Sequence, residues 1–435
     1  MTDRRAARGG RRLTATVTDL EVRRQRALLV SLVHGSRTQA DAEASLAELE
    51  RLTDTAGSDT VGTAIQQRRV PDPATFIGKG KADELAAWGR HLDIDLLVVD
   101  GELTPVQQRN LQGVFGVDVV DRIALILDIF ALHATSSEGM AQVELAMNRY
   151  RLPRLRGRGT EMSRLAGGIG TRGPGESQLE TDRRRVQRRI GQLERQIEKM
   201  RTTRETQRKA RRRSGIPAVA LVGYTNAGKS SLLNRLTGAG VLVEDRLFST
   251  LDATTRRLDL PSGRAALFSD TVGFVRDLPH ELVEAFRSTL EEAVATDLLL
   301  HVVDAAADDP SAQIAAVRET LEEIGSGDRA EMLVLNKIDT APPAAVARLA
   351  ALHPEAVAVS AATGAGITEM LAAVDDRLTP PTADLELLIP YERGDLLAAL
   401  HRDGEVIGED HEDAGTRVKV RVPREAAAAF APYRV

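Results

Sequence analysis

Apolar and polar positions along this chain follow three rhythms, and each predicts a different kind of element. From residue 20 to 120, short apolar runs such as "RALLVSLV" and "DLLVVD" alternate with stretches of helical spacing, "QADAEASLAELERL" and "GELTPVQQRNL"; "GVDVVD" reads as a further strand. That alternation predicts a mostly parallel sheet covered by helices. From 121 to 213 the period lengthens. Ile123, Leu127, Phe130 and Ala134 mark one helical stripe, and Leu179, Val186, Ile190, Leu193, Ile197 and Met200 keep a heptad seam. Residues 151–177, between them, are rich in glycine and arginine. The segment predicts two long helices packed as an antiparallel hairpin with a flexible tip.

From 214 onward, strand-length runs return: "AVALVG", "AALFSD", "DLLLHVVD", "EMLVLNK" and "AVAVSA", separated by helical patterns such as "KSSLLNRL". "RRLDLPSGRAALFSD" predicts a hairpin turning at Pro261, Ser262 and Gly263. "TPPT" marks a linker, and the remainder reads strand, helix, strand, strand, helix. The expected fold is multidomain α/β: a basic mobile tail at 1–19, an N-terminal α/β domain at 20–120, the helical hairpin at 121–213, an α/β domain with a central mostly parallel sheet at 214–380, and a small C-terminal α+β domain at 381–435. A chain of 435 residues is long enough for that many cores.

Charge sharpens the picture of the hairpin. Residues 147–213 carry 21 basic and 7 acidic side chains, so a net charge of −5 for the whole chain hides a basic block on a protein that is otherwise at −19. Such a block suits a polyanionic partner. Aromatic residues are only 3%, which argues against base stacking on aromatic platforms. The chain has no cysteine, which excludes disulfides, thiolate metal sites and cysteine nucleophiles. No apolar run approaches the ~20 residues of a membrane span. The N-terminal "MTDRRAARGGRRL" lacks the apolar core of a secretory signal; the absence of cysteine suits a reducing cytoplasm, and a monomer is expected. The eight histidines are scattered; His401 and His411 have no ligand spacing.

The chemistry is concentrated in the third block. "GYTNAGKS" at 223–230 fits G-x-x-x-x-G-K-S/T between a strand and a helix. Gly223, Tyr224, Thr225, Asn226, Ala227 and Gly228 would present backbone N–H groups to phosphate oxygens, with Ser231 following in the helix. Lys229 would reach the β and γ phosphates, and Ser230 offers a hard oxygen to Mg²⁺. "DTVG" (Asp270, Thr271, Val272, Gly273) follows a strand. There Asp270 can back the Mg²⁺ shell through water, and the Gly273 N–H can meet the γ phosphate. "NKID" (Asn336, Lys337, Ile338, Asp339) closes the fourth apolar strand. Asp339, taken as a buried carboxylate, would accept from the N1–H and 2-amino group of guanine, where adenine has no donors. Lys337 can lie over the base, and Asn336 can tie this loop to the phosphate loop. Ser360, Ala361 and Ala362 can offer N–H groups to the guanine oxygen. These loops, in this order at strand ends, predict a GTP- and GDP-binding P-loop GTPase. A switch threonine should lie between the first two loops, and "LFSTLDATTR" offers Thr250, Thr254 and Thr255 without deciding among them.

"TFIGKGKADEL", "DRIALILDIFALHA", "QVELAMNRYRLPRL", "GGIGTRGPGESQLETDRRR" and "LFSTLDATTR" together give the chain a resemblance to the GTPase HflX family, from about residue 20 to residue 380. The nucleotide domain is similar to translation-factor-type GTPases. The resemblance implies binding to the large ribosomal subunit and its RNA, and splitting of stalled ribosomes. It implies that Thr250, within Phe248, Ser249, Thr250, Leu251 and Asp252, is the Mg²⁺ ligand beside Ser230, and that Lys229, Thr250 and Gly273 carry catalysis. It places the RNA-contacting tip at Gly167, Gly168, Ile169, Gly170, Thr171, Arg172, Gly173, Pro174, Gly175 and Glu176. Asn226 resembles the asparagine of potassium-activated GTPases, which implies a K⁺ ion and faster turnover in K⁺ than in Na⁺. Phe274 stands where a water-positioning glutamine often does, so intrinsic hydrolysis is expected to be slow. The family is also credited with ATP hydrolysis by its N-terminal domain, but "IGKGK" at 77–81 matches no full phosphate-binding motif and reads as a turn or an RNA backbone contact. The competing functional class is a GTPase of subunit assembly or RNA modification, which leaves the long hairpin unexplained.

Overall fold

The computed structural model describes residues 15–18, 21–155, 174–213, 215–238, 247–248, 250, 254–276, 296–378 and 382–435. The chain divides into two compact units, Met1–Leu258 with Ala265–Ile367, and Asp259–Arg264 with Thr368–Val435.

The first unit begins with a five-stranded sheet of β1 (Ala15–Thr18), β2 (Glu21–Val33), β3 (Ser58–Gln67), β4 (Leu96–Asp100) and β5 (Asp118–Asp121). β2 pairs in parallel with β3 and β4, and β4 with β5. β1 pairs antiparallel with the start of β2, so residues 15–18 of the expected tail form a strand. Threonine and valine, three of its four residues, are residue types enriched in strands. Alternate residues of β2 feed two cores. Leu28, Val30 and Leu32 meet Leu85 and Leu111 from α2 (Lys79–His91) and α3 (Pro105–Phe115); Ala27 and Leu29 meet Leu49 and Leu52 from α1 (Gln39–Thr55). Capping boxes at Thr38 with Asp41 and at Thr104 with Gln107 fix where α1 and α3 start.

Residues 121–213 hold three described helices where the sequence pattern suggests two. The Ile123 stripe lies on α4 (Arg122–His133), which is buried on nearly every side and belongs to the N-terminal core. α5 (Ser137–Arg154) restarts after the Ser136 cap and is the true partner of the heptad seam on α6 (Pro174–Arg213). Ala141 and Leu145 of α5 pack against Ile190, Leu193 and Ile197 of α6. Glu144 accepts twice from Arg189 at 2.6 Å, Glu194 accepts from Arg149 at 2.9 Å, and Glu138 pairs with Arg204. The end of α5 is anchored to the N-terminal domain. Asp121 accepts from the Tyr150 hydroxyl at 2.9 Å and from Arg154 at 3.2 Å, and the Arg154 guanidinium lies 3.5 Å over the Tyr150 ring.

The nucleotide-type domain is built on a six-stranded sheet of order β11-β10-β9-β6-β8-β7. Its strands are β6 (Ala218–Val222), β7 (Thr254–Asp259), β8 (Ala265–Asp270), β9 (Leu298–Asp304), β10 (Glu331–Asn336) and β11 (Val357–Ala358). The pairs β6–β8, β6–β9, β9–β10 and β10–β11 are parallel. α7 (Lys229–Thr237), α8 (Pro310–Glu323) and α9 (Pro343–Leu352) cover it. The order reverses beside β6, the place where open α/β sheets put their ligand crevice.

In the second unit β12 (Thr382–Ile389), β13 (Glu405–Glu412) and β14 (Gly415–Pro423) form an antiparallel sheet of order β12-β14-β13. Leu385, Leu387, Ile389, Val418, Val420 and Val422 face Leu400 of α11 (Gly394–Asp403) and Phe430. Most of α10 (Ile367–Leu378) also lies here; its Asp375 accepts from the Ser262 N–H at 2.7 Å and holds the turn at Gly263, whose φ is +81°. Among the described residues no helix is long and apolar enough to cross a membrane.

Candidate nucleotide site

The six residues between β6 and α7 form a loop whose shape is held from two sides. Thr225 N donates to Phe274 O at 2.7 Å, and Phe274 N donates to Gly223 O at 3.1 Å, joining it to the loop after β8. Asn336, at the end of β10, donates to Ala227 O at 2.9 Å and accepts from Ala361 N at 3.0 Å. Two glycines are demanded by space. A Cβ on Gly228 (φ +91°) would come within 2.3 Å of the Asn336 amide, and one on Gly273 within 2.9 Å of Thr225 Cα. Asn226, Phe248 and Lys337 all hold φ near +60°, a conformation that non-glycine residues keep only where their surroundings enforce it.

Lys229 is 6% exposed, and its Nζ donates to the carbonyls of Gly223 and Tyr224 at 3.0 and 2.9 Å. Burial brings its pKa down to about 8, against the opposing pull of Asp270. Ser230 Oγ lies 2.7 Å from Thr250 Oγ1 and donates to Asp270 Oδ2 at 2.6 Å. Burial raises the pKa of Asp270, while Lys229 and the hydroxyls of Ser230 and Thr250 lower it. Asp270 Oδ1 is buried with no hydrogen-bond partner. Two hydroxyls and the Asp270 carboxylate, one of whose oxygens is unspent, make a hard-oxygen donor set that fits Mg²⁺. Of the three threonines left open by the sequence, only Thr250 reaches Ser230. Thr255 pairs with Ser269 at 2.9 Å, and Thr254 is exposed on β7. A cleft of about 380 Å³ is lined by Thr225, Asn226, Gly228, Lys229, Ser230, Ser231, Phe248, Thr250, Thr271 and Gly273. Val272 is buried, and Thr271 donates to Leu221 O at 2.7 Å.

The base-binding side departs from the sequence reading in two places. Asp339 is exposed, so no buried carboxylate stands there at cost. The Ala361 N–H is spent on Asn336 and is not among the groups offered to a base. Lys337 is steadied by Asp304 at 2.7 Å, Ile338 N donates to Val359 O, and Ser360 Oγ accepts from Thr363 N at 3.0 Å. Arg235 of α7 donates to Ala361 O at 2.9 Å and also to Ala362 O. Arg235 and Asp304 carry no motif signal, although an acid ending a buried strand, "HVVD", is a readable hint.

Ser249, Leu251 and Asp252 lie outside the described residues, as do Gly167, Gly168, Ile169, Gly170, Thr171, Arg172 and Gly173. Pro174, Gly175 and Glu176 form the first turn of α6. Phe274 is fully buried. "IGKGK" is a turn into α2, with Gly78 N donating to Gln66 at 2.9 Å. No cluster of three His, Cys, Asp or Glu poised for a metal exists among the described residues.

Comparison with known proteins matches four families in chain order: GTP-binding GTPase N-terminal at 43–131, GTP-binding GTPase Middle Region at 133–211, 50S ribosome-binding GTPase at 218–337, and HflX C-terminal domain at 345–431. A protein named GTPase HflX from Caldanaerobacter subterraneus is 45% identical over 92% of this chain and 92% of its own length. Another of that name, from Escherichia coli, is 42% identical over 90% and 93%. Among solved structures, a GTP-binding protein from Sulfolobus solfataricus in complex with GDP aligns at 25% identity and a TM-score of 0.41, over 81% of this chain and 98% of that one.

Proposed function

The chain belongs to the GTPase HflX family of P-loop GTPases, which hydrolyse GTP, and from that premise we propose that it binds the large ribosomal subunit in its GTP form and dissociates stalled or idle ribosomes. One observation carries the proposal. The arginine-rich helix α6 is zipped to α5, which in turn is anchored through Asp121 to the N-terminal domain, in the same compact unit as the nucleotide loops. An arm with that charge suits RNA backbone, where cations are attracted without regard to sequence. The tip at 167–176 is the part proposed to meet ribosomal RNA.

Ser230 and Thr250 would hold magnesium, with Asp270 behind them; when bound, the ion would supply positive charge that offsets the negative charge of the phosphates. Lys229 adds a second cation, and the Gly273 N–H marks where a γ phosphate is sensed. Loss of that phosphate releases Thr250 and Gly273 and relaxes the switch segments. Phe274, buried and without hydrogen-bonding capacity, cannot orient water. Turnover by the protein alone is therefore slow, and large subunits accelerate it.

Sedimentation of the purified protein with ribosomes tests this. The protein is expected to comigrate with large subunits with a non-hydrolysable GTP analogue and to leave with GDP. A variant with 167–176 replaced by a serine linker is expected to split nothing while keeping GTP turnover without ribosomes. Equal binding in both nucleotide states, or equal GTP turnover with and without subunits, sinks the proposal.

A further inference from the structure

Tyr224 is the second residue of the phosphate loop, yet its hydroxyl serves no phosphate. It donates to Glu48 Oε1 at 2.8 Å and accepts from the Arg276 N–H at 2.6 Å. Glu48 lies on α1, and its other oxygen accepts from Arg122 Nη2 at 2.8 Å. The same nitrogen reaches Arg276 O at 3.4 Å. Arg276 is thus held at both its N–H and its carbonyl, once by the phosphate loop and once by the N-terminal domain. Arg122 is braced in turn: its Nη1 donates to Asp100 Oδ1 at 3.0 Å, and Asp100 also accepts from Ser31, Ser45 and Arg37. The Glu48, Arg122 and Asp100 side chains are at most 5% exposed.

The span these groups hold is short and matters. Residues 273–276 leave the end of β8 and carry the Gly273 N–H. Backbone bonds between Gly223, Thr225 and Phe274 already join them to the phosphate loop. The Tyr224 hydroxyl adds a third tie two residues further on. We propose that Glu48 and Arg122 are positioning residues for GTP hydrolysis, acting through the Tyr224 hydroxyl to fix residues 273–276 against the phosphate loop.

The chemistry favours orientation over stability. Burying a guanidinium with two carboxylates returns little net stability compared with apolar residues of the same volume, whereas its two bonds, one to each carboxylate from a planar fork, fix direction. Burial and the neighbouring Glu48 carboxylate push the Tyr224 ionisation upward, so its hydroxyl keeps its proton and can donate and accept together. A donor displaced by a fraction of an ångström from a developing charge loses rate without losing ground-state binding.

Steady-state GTP turnover by the full-length chain alone tests this, so the result is independent of any ribosome. Tyr224→Phe removes only the hydroxyl. It is expected to lower kcat about ten- to a hundredfold, with KM for GTP within about threefold of the parent and thermal unfolding little changed. Glu48→Gln is expected to act in the same direction, and the double variant to fall no further than the weaker single one, because both cut one path. The proposal is overturned if Tyr224→Phe leaves kcat within about twofold or raises it, if the two losses multiply independently, or if KM rises as kcat falls. Should Glu48→Gln fail to fold, the kcat and KM of Tyr224→Phe decide alone.

Discussion

Asp339→Asn is expected to weaken GTP and GDP binding by about a hundred- to a thousandfold while opening the site to xanthine nucleotides. A carboxylate accepts two hydrogen bonds from the N1–H and 2-amino group of guanine, and bonds to a charged acceptor contribute about 1.5–3 kcal/mol each. An asparagine amide presents one acceptor and one donor. Against guanine the donor faces another donor; against xanthine, with N1–H beside a 2-oxo group, it finds a partner. Because Asp339 is exposed, the substitution relieves no buried charge, and the folded chain should be as stable as its parent. Fluorescence titration with labelled GDP and XDP reads the outcome. Unchanged GDP affinity would remove Asp339 from the base site.

Lys229→Ala is expected to lower GTP turnover by about 10²–10³-fold, the usual cost of losing one charged donor at a transition state. Its effect on stability should be small. The lysine is almost fully buried, and its lowered pKa shows that desolvation outweighs the nearby Asp270. Burying the ammonium thus offsets part of what its bonds to the Gly223 and Tyr224 carbonyls return. Turnover and thermal unfolding of the protein without nucleotide should separate. A loss of turnover matched by a large fall in melting temperature would mark the lysine as structural.

The nucleotide loops were legible in the residues because phosphate, magnesium and guanine each demand particular residue types at strand ends, within a few positions of one another. The six-stranded sheet was legible for a related reason: buried parallel strands are continuous apolar runs. Where demand was long-range, the pattern failed. Glu48 reads as part of the polar face of "LAELERL", and Arg122 as a charge at a helix start, yet both are buried against partners up to 176 positions away in sequence. β3, "SDTVGTAIQQ", is too polar to announce a strand and forms one because β2 offers it an edge. The break between α4 and α5 was hidden by a continuous helical rhythm, although Ser136 is an ordinary N-cap. Residue chemistry alone left Thr250, Thr254 and Thr255 equivalent; the family resemblance pointed to Thr250, and the fold sets that one against Ser230.

The hairpin also has a mechanical meaning. α5, at 18 residues, is about 27 Å long, whereas α6, at 40, is about 60 Å. Among the described residues the ion pairs between them reach Arg189, about 22 Å along α6 from Pro174. A stiff beam held over part of its length acts as a lever: a small turn at the held part becomes a larger displacement at the far end. The fulcrum is Asp121, which grips Tyr150 and Arg154 at the end of α5. The next residue is Arg122, which grips the backbone beside the phosphate loop. The pivot of the arm and the hook on the nucleotide site are therefore joined by a single peptide bond.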